Sequence, residues 1–437
     1  MCIGVSACQV EAAWRDLVFT EALGMVILLF REYPLSTAFL VIVLEIPRYS
    51  FAIVAVGISS LRRPPPPLDQ RHRVTAIVPV LNGGHEATLA IKSLIAQNVP
   101  IHEIIVVDDG SDPAHRAHLD AFLTNYPHVR LIEHRRRAGK SAAINHAAQL
   151  ATGELLLTID HDTCLERNAS MRLAQTFNNP MVAASCGNLL VSNRRRNPLT
   201  SLQSLEYLLS IGIGKRFLNH INAISCCSGA FSMYRADAFR RVGGLNVGPG
   251  EDLEITLRLR QVGYQIEFAD NAYGETAVPQ TASGLFKQRL RWDGDALIIR
   301  MLMFSEWSFF KRREPVANTL QRLDYIFLEL LPTLVFPFYL VFLWVSFGSA
   351  MFDILFALYV VLFWLYAINI IMGIVISKRS ISWLDLLVLP VMPLYQGIIM
   401  RLVRFVAISD EVLLARSRHD PYVPAHVRAA LYRNPHD

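Results

Sequence analysis

The stretch Val74-Thr75-Ala76-Ile77-Val78-Pro79 is a short, continuous apolar run, the pattern of a strand buried on both faces. Two more runs resemble it, Glu103-Ile104-Ile105-Val106-Val107 and Glu154-Leu155-Leu156-Leu157-Thr158-Ile159. Helical patterns lie between them, near Ala87–Gln97, His115–Asn125 and Ser141–Leu150. Short apolar strands separated by helices predict a doubly wound, mainly parallel α/β sheet over residues 73–300. In such a sheet a ligand sits beyond the carboxyl ends of the strands.

Outside this stretch the chain becomes strongly apolar. Of its 437 residues 52% are hydrophobic and 18% charged, whereas a soluble domain carries about a quarter charged residues. Residues 1–63 hold two apolar segments, Trp14–Phe30 and Ser36–Leu61, of which the second is long enough to cross a bilayer. Glu45, Pro47 and Arg48 lie within it, read as an ion pair beside a proline kink. Arg62 and Arg63 mark a cytoplasmic end, and Pro64–Pro67 within the 64–72 linker form a stiff spacer. Residues 301–405 return to membrane character with Tyr325–Phe347 and Ile354–Ile376, followed by Trp383–Met400, which carries Pro390 and Pro393. That last segment is open to spanning, re-entering or lying flat. The tail, 406–437, is rich in arginine and so favours the cytoplasmic side. A net charge of +5 is too mild to suggest nucleic acid and suits an anionic membrane surface. No secretory leader is read at the start. The six cysteines lack metal-ligand spacing and read as reduced thiols.

Two acidic motifs fall where a parallel sheet places a ligand: Asp108-Asp109-Gly110 after the second run and Asp160-His161-Asp162 after the third. One or two aspartates at a strand end can hold Mg²⁺ or Mn²⁺ while the diphosphate of a sugar nucleotide supplies other ligands. Asp108 and Asp109 could equally receive the base and ribose hydroxyls. Between the motifs, Arg135-Arg136-Arg137-Ala138-Gly139-Lys140 opens a helix. It reads as a solvated basic face, or as Lys140 turned toward a diphosphate at a helix N-terminus. Gly250-Glu251-Asp252-Leu253-Glu254 reads as an acidic helix cap or as the source of a general base, Asp252. Lys287-Gln288-Arg289-Leu290-Arg291-Trp292 reads as an amphipathic helix at the membrane surface. It also offers Trp292 for sugar stacking and Arg291 for phosphate oxygens.

Taken in order, Asp108-Asp109, Asp160-x-Asp162, Glu251-Asp252 and Gln288-x-x-Arg291-Trp292 resemble the membrane-integrated, processive members of glycosyltransferase family 2. Cellulose, hyaluronan, chitin-oligosaccharide and poly-N-acetylglucosamine synthases belong to that group. The resemblance implies a GT-A catalytic domain in the cytoplasm, flanked by transmembrane helices of a multi-pass inner-membrane protein. It implies inverting transfer from a UDP-sugar, UDP-N-acetylglucosamine or UDP-glucose favoured, to a growing β-linked polysaccharide. A single transfer to a lipid or short acceptor is the alternative. Asp108, Asp109, Lys140 and Asp160 are then expected at the nucleotide, Asp162 at the Mg²⁺ or Mn²⁺, and Asp252 as the base. Glu251, Ser228, Gly229, Gln288, Arg291 and Trp292 are expected at the acceptor and diphosphate. Besides donor, glycan or glycolipid acceptor and bilayer, accessory export proteins are expected partners. One departure stands out: where the family has an Asn-Glu pair after the first strand, this sequence reads Asn82-Gly83-Gly84, with Glu86 the nearest acid.

Overall fold

The computed structural model describes residues 56–57, 72–246, 250–303, 315–377, 382–419 and 423–427. Apart from Val56 and Gly57, the apolar segments and proline run expected before residue 68 lie outside these residues.

Eight strands, β1 (Val74–Val80), β2 (Glu103–Asp108), β3 (Val129–Glu133), β4 (Leu155–Ile159), β5 (Thr163–Leu165), β6 (Val182–Val191), β7 (Phe231–Arg235) and β8 (Gln265–Thr276), form one sheet. Their order is β3-β2-β1-β4-β7-β6-β8-β5. The three runs quoted from the sequence are therefore neighbours, with β1 between β2 and β4 and parallel to both. The pairs β4/β7, β6/β7 and β5/β8 are antiparallel, while β6/β8 is parallel. All seven residues of β1 are buried because helices cover both faces. On one face Ala76 and Val78 meet Ala87, Ile91 and Leu94 of α1 (Gly84–Ile95) and Leu119 and Leu123 of α2 (Pro113–Leu123). On the other, Ile77, Ile105 and Val107 meet Ala143, Ile144 and Ala147 of α3 (Lys140–Leu150). The alternation is the two-residue period of a strand.

In chain order β1, β2 and β3 step outward, and β4 then returns to the opposite side of β1. The sheet thus has its switch point at the carboxyl ends of β1 and β4, where a ligand crevice forms. Antiparallel β7 closes beside β4, and this depends on Gly187 in β6. A Cβ there would come within 1.9 Å of the Phe231 ring, so only hydrogen lets that fully buried ring lie across the strand.

Four more helices tie the sheet to the apolar third of the chain: α4 (Pro198–Tyr207), continued by a π-helix over Leu208–Lys215, then α5 (Glu251–Gln261) and α6 (Ala282–Leu297). Asn197 caps α4, accepting from the Thr200 N–H while Pro198 fills a first-turn position that needs no donor. Beyond them come α7 (Val316–Phe347), α8 (Ala350–Ser377) and α9 (Trp383–Leu414), each long and apolar enough to cross a membrane. Gly348 and Ser349 alone separate α7 from α8.

The helix α9 runs past the Met400 boundary read from hydropathy, through a tightened turn at Leu389–Val391 around Pro390 and a π-turn at Tyr395–Ile399. At three points along its length it is tied to the sheet domain. Near its start Asp385 accepts from Ser201 Oγ of α4 at 2.8 Å and lies 3.7 Å from Arg194. In its middle Tyr395 OH donates to Glu206 at 3.0 Å, and further on Arg404 donates to Asp293 of α6 at 2.9 Å. Beyond α9, Pro424 is buried against Gly139, its Cδ 3.3 Å from where a Cβ would sit.

Candidate active site

The first acidic motif is a scaffold for the loop that leads into α3. Asp108, at the end of β2, is buried and pairs with Arg116 Nη1 at 3.1 Å while accepting the Ser111 N–H at 3.1 Å. Arg116 also pairs with Asp120 and Glu133. Asp109 accepts from Ala138 N at 2.8 Å, Gly139 N at 2.7 Å and His134 Nδ1 at 2.8 Å. Its two oxygens fold residues 134–139 into a cradle. Gly110, at φ 83°, lets the opposing backbone pass close to Arg137 N.

That cradle delivers Lys140 to a cluster assembled from distant parts of the sequence. Lys140 Nζ lies 2.5 Å from Asp160 Oδ1, just past β4, and 3.7 Å from Glu251 Oε1 at the start of α5. It also donates to the Gly229 carbonyl at 3.4 Å. The Gly229 N–H in turn donates to Asp252 Oδ2 at 3.0 Å, and the Leu253 N–H to Asp252 Oδ1 at 2.8 Å. A Cβ on Gly229 would stand 3.1 Å from Lys140 Nζ and 3.4 Å from Asp252 Oδ2, so a side chain there would crowd the gap between cation and carboxylate. Gly250, left-handed at φ 60°, turns the chain into α5. The helix starts at Glu251, placing Glu251 and Asp252 in its first turn, where its dipole favours negative charge.

Burial opposes the charge on Lys140, but the Asp160 and Glu251 carboxylates outweigh it and hold the ammonium above its ordinary range. Burial pushes the Glu251 carboxyl up, against the pull of Lys140 and Arg291. Asp162 is also pushed up, by burial first and then by the neighbouring charge of Asp160. Its Oδ1 meets only the hydroxyls of Thr163 and Thr276, at 3.4 and 3.5 Å. A buried carboxylate whose proton affinity is raised by burial and by a neighbouring carboxylate suits a divalent cation. Among the described residues no group of three His, Cys, Asp or Glu side chains forms a metal cage. A cation bound through one or two carboxylates, with diphosphate and water completing its shell, needs no such cage.

The Gln288-x-x-Arg291-Trp292 motif lies on α6, whose Arg291 exerts its charge at Glu251. Of the motif's residues Arg291 is thus within electrostatic reach of the cluster. Gln288 Oε1 is buried without a hydrogen-bond partner. Trp292 is 37% exposed, with the Arg289 guanidinium 4.9 Å from its ring centroid. Arg289 forks onto both oxygens of Glu206, at 2.7 and 2.9 Å. Glu206 also accepts from Tyr395 of α9, so the platform is braced against the membrane helix. Ser228 lies beside Gly229, its hydroxyl accepting from Lys215 Nζ at 2.7 Å. His161 packs on the Asn82–Gly83 turn, and Glu86 is exposed in the first turn of α1.

Sequence reading brought Lys140, Asp160, Gly229, Glu251 and Asp252 forward, and they converge. It passed over Arg116, Arg289, Glu206 and Lys215. The available signal for Lys215 was the Lys215-Arg216 pair that ends the apolar run Leu208-Leu209-Ser210-Ile211-Gly212-Ile213-Gly214.

Residues 75–243 match the sequence profile of Glycosyl transferase family 2. An N-acetylglucosaminyltransferase of Azorhizobium caulinodans is 30% identical over 234 residues, covering 50% of this chain and 58% of that protein. A poly-beta-1,6-N-acetyl-D-glucosamine synthase of Staphylococcus epidermidis is 28% identical, covering 51% of this chain and 54% of that one. A hyaluronan synthase of Streptococcus pyogenes is 29% identical, covering 56% and 62%. The matches therefore span little more than half the length of these relatives. Among solved structures, the mannosyltransferase PcManGT from Pyrobaculum calidifontis, in complex with GDP-Man and Mn²⁺, superposes with a TM-score of 0.53 at 16% identity, covering 86% of this chain and 99% of that one. That likeness, together with the mixed, mostly parallel sheet, makes the fold GT-A.

Proposed function

We propose, from the premise that residues 75–243 form a glycosyltransferase family 2 domain, that this protein is an inverting glycosyltransferase working at a membrane. Its donor is a UDP-sugar, with UDP-N-acetylglucosamine or UDP-glucose favoured, and its acceptor a growing β-linked polysaccharide. One observation carries the reading: the Asp252 carboxylate stands against the Gly229 N–H, beside the Lys140–Asp160–Glu251 cluster. The relatives that make or transfer amino sugars support the choice of donor.

In the proposed reaction an acceptor hydroxyl oxygen attacks the anomeric carbon from the side opposite the diphosphate. The new C–O bond forms as the bond to the diphosphate oxygen breaks, and that oxygen keeps the electron pair. Asp252 takes the hydroxyl proton, as a general base within hydrogen-bond reach can. Lys140, its proton held by its carboxylate neighbours, offers a permanent positive charge to the departing diphosphate. Arg291 adds a planar, bidentate donor there, and Trp292 a face for the acceptor sugar. Asp162, with Asp160 beside it, would hold Mg²⁺ or Mn²⁺, which when bound neutralises charge on the diphosphate.

In this reading α7 and α8 cross the bilayer as a hairpin and α9 lies in the interface along the domain. The Pro424 contact then keeps the tail on the catalytic side, the cytoplasmic face of the inner membrane.

With UDP present, Mn²⁺ is expected to raise the thermal midpoint of the solubilised wild type by about 5 °C, as saturating binding worth about 2.7 kcal/mol would. Asp162→Asn should lose most of that shift; equal shifts in scanning fluorimetry would remove Asp162 from the metal site. The reaction itself is tested by giving membranes containing the full chain labelled UDP-N-acetylglucosamine, UDP-glucose or UDP-glucuronate with Mg²⁺ or Mn²⁺. Label in a high-molecular-weight glycan is expected. Label confined to an organic-extractable lipid sinks the polymer reading and leaves single transfer.

A further inference from the structure

The π-helix over Leu208–Lys215 joins two regions that the chemistry described so far leaves unconnected. One side of it is pressed on α8: a Cβ on Gly373 would come within 2.9 Å of Ile213 Cδ1 and 3.2 Å of Leu208 Cγ. At its end the Lys215 side chain enters the catalytic domain, 7% exposed. Its Nζ donates to Ser228 Oγ at 2.7 Å and lies 3.7 Å from Cys186 Sγ. These partners are a hydroxyl and a thiol, and Asp252 is the carboxylate whose charge reaches it. Taking an ammonium out of water costs several kcal/mol when no carboxylate neutralises it directly. A methionine of similar length would fill the space without that penalty, so packing alone does not account for a lysine.

The hydrogen bonds beyond Ser228 indicate the task. Ser228 is followed by Gly229, whose N–H holds Asp252 Oδ2, and preceded by Cys227, whose N–H donates to Thr256 Oγ1 at 3.0 Å. Thr256 Oγ1 donates to the Asp252 carbonyl at 2.6 Å. The loop is thus fastened to the α5 turn at two points, on either side of the hydroxyl that Lys215 grips. A π-turn inserted in a helix re-aims the residue after it and often marks a working site.

We propose that Lys215 is a positioning residue that fixes the Cys227–Gly229 loop against Asp252, so that the acceptor hydroxyl is aligned for attack. This rests on the glycosyltransferase reading above. It extends that reading, because it makes the acceptor side of the site answer to a helix packed on α8, whereas the donor side answers to the Asp109 cradle. A loop displaced by about 1 Å can cost on the order of 10²-fold in rate without loosening the donor.

The test uses the full chain in detergent or nanodiscs, with whichever of the three labelled UDP-sugars the wild type turns over, and UDP as the binding probe. Lys215→Met is expected to lower kcat at least tenfold, with KM for the UDP-sugar and Kd for UDP within twofold of wild type. Lys215→Arg should recover part of the loss. Ser228→Ala should lower kcat too, and the double variant Lys215→Met/Ser228→Ala should be no slower than Lys215→Met alone, because the two residues act through one bond. Wild-type rates in Lys215→Met overturn the proposal, as does a parallel loss of UDP binding or a double variant whose losses multiply. A wild type that transfers no sugar from any of the three donors overturns the glycosyltransferase reading itself.

Discussion

Replacing Asp252 by asparagine is expected to lower sugar transfer by about 10³-fold while UDP affinity stays within about twofold, since a positioned base contributes roughly 10²–10⁴. An amide has nearly the shape of the carboxylate and keeps an oxygen for the Gly229 N–H, so the α5 turn should remain in place. It has no basic oxygen able to carry off a proton. In the proposed function donor binding rests on Lys140 and the loop before it, and the Lys140–Asp160 contact of 2.5 Å does not involve Asp252. Initial rates with the labelled donor, beside UDP titration calorimetry on the same preparation, separate the two effects. If transfer and UDP binding fall together, Asp252 is a structural residue and the proposed base lies elsewhere.

Asp109→Ala is expected to act in the opposite order, abolishing UDP binding first. The substitution strips two buried backbone N–H groups, of Ala138 and Gly139, of their acceptor and leaves His134 Nδ1 without its partner. Orphaning a buried donor costs about 1–3 kcal/mol and more where a charge was involved, so a total near 3–5 kcal/mol is expected. Much of it should appear as local loosening of residues 134–140. Hydrogen exchange is the discriminating measurement: amides of this loop should exchange far faster, while those of β1 and β4 should be little affected. Asp109→Asn keeps one acceptor oxygen and should show an intermediate loss. Unchanged UDP affinity in Asp109→Ala would mean that the cradle does not set the donor site.

These two aspartates illustrate how the sequence could and could not be read. Both lie in acidic motifs at element ends, Asp109 after an unbroken apolar strand and Asp252 at the start of a helix, and those positions could be recognised. The use each carboxylate is put to could not. Asp109 reads as a ligand for a nucleotide; that its oxygens also accept from Ala138, Gly139 and His134 of the loop before α3 is visible only in tertiary contact. The second half of the sheet was hidden for a related reason. In β6, Ser185, Cys186, Gly187 and Asn188 are buried small or polar residues that leave no apolar signature. Asn188 is tolerable there because its Nδ2 reaches the Asp270 carbonyl at 3.1 Å. In the last apolar segment the sequence shows Asp385, Pro390 and Pro393 and leaves spanning, re-entry or lying flat open; the contacts that Asp385, Tyr395 and Arg404 make with the α/β domain are invisible to hydropathy.

That riveting along α9 has a consequence for how a substrate is found. Helix and domain are joined at Asp385, Tyr395 and Arg404, so with α9 placed in the interface as proposed the site keeps a fixed height above the lipid surface instead of swinging on a tether. An acceptor that is itself held at the surface then searches an area rather than a volume, and its effective concentration at the site is set by surface density, in the way a linker sets it for joined partners. Donor supply still depends on diffusion in three dimensions. In this geometry the rate should saturate with acceptor packed per unit of membrane long before it saturates with acceptor dissolved in bulk.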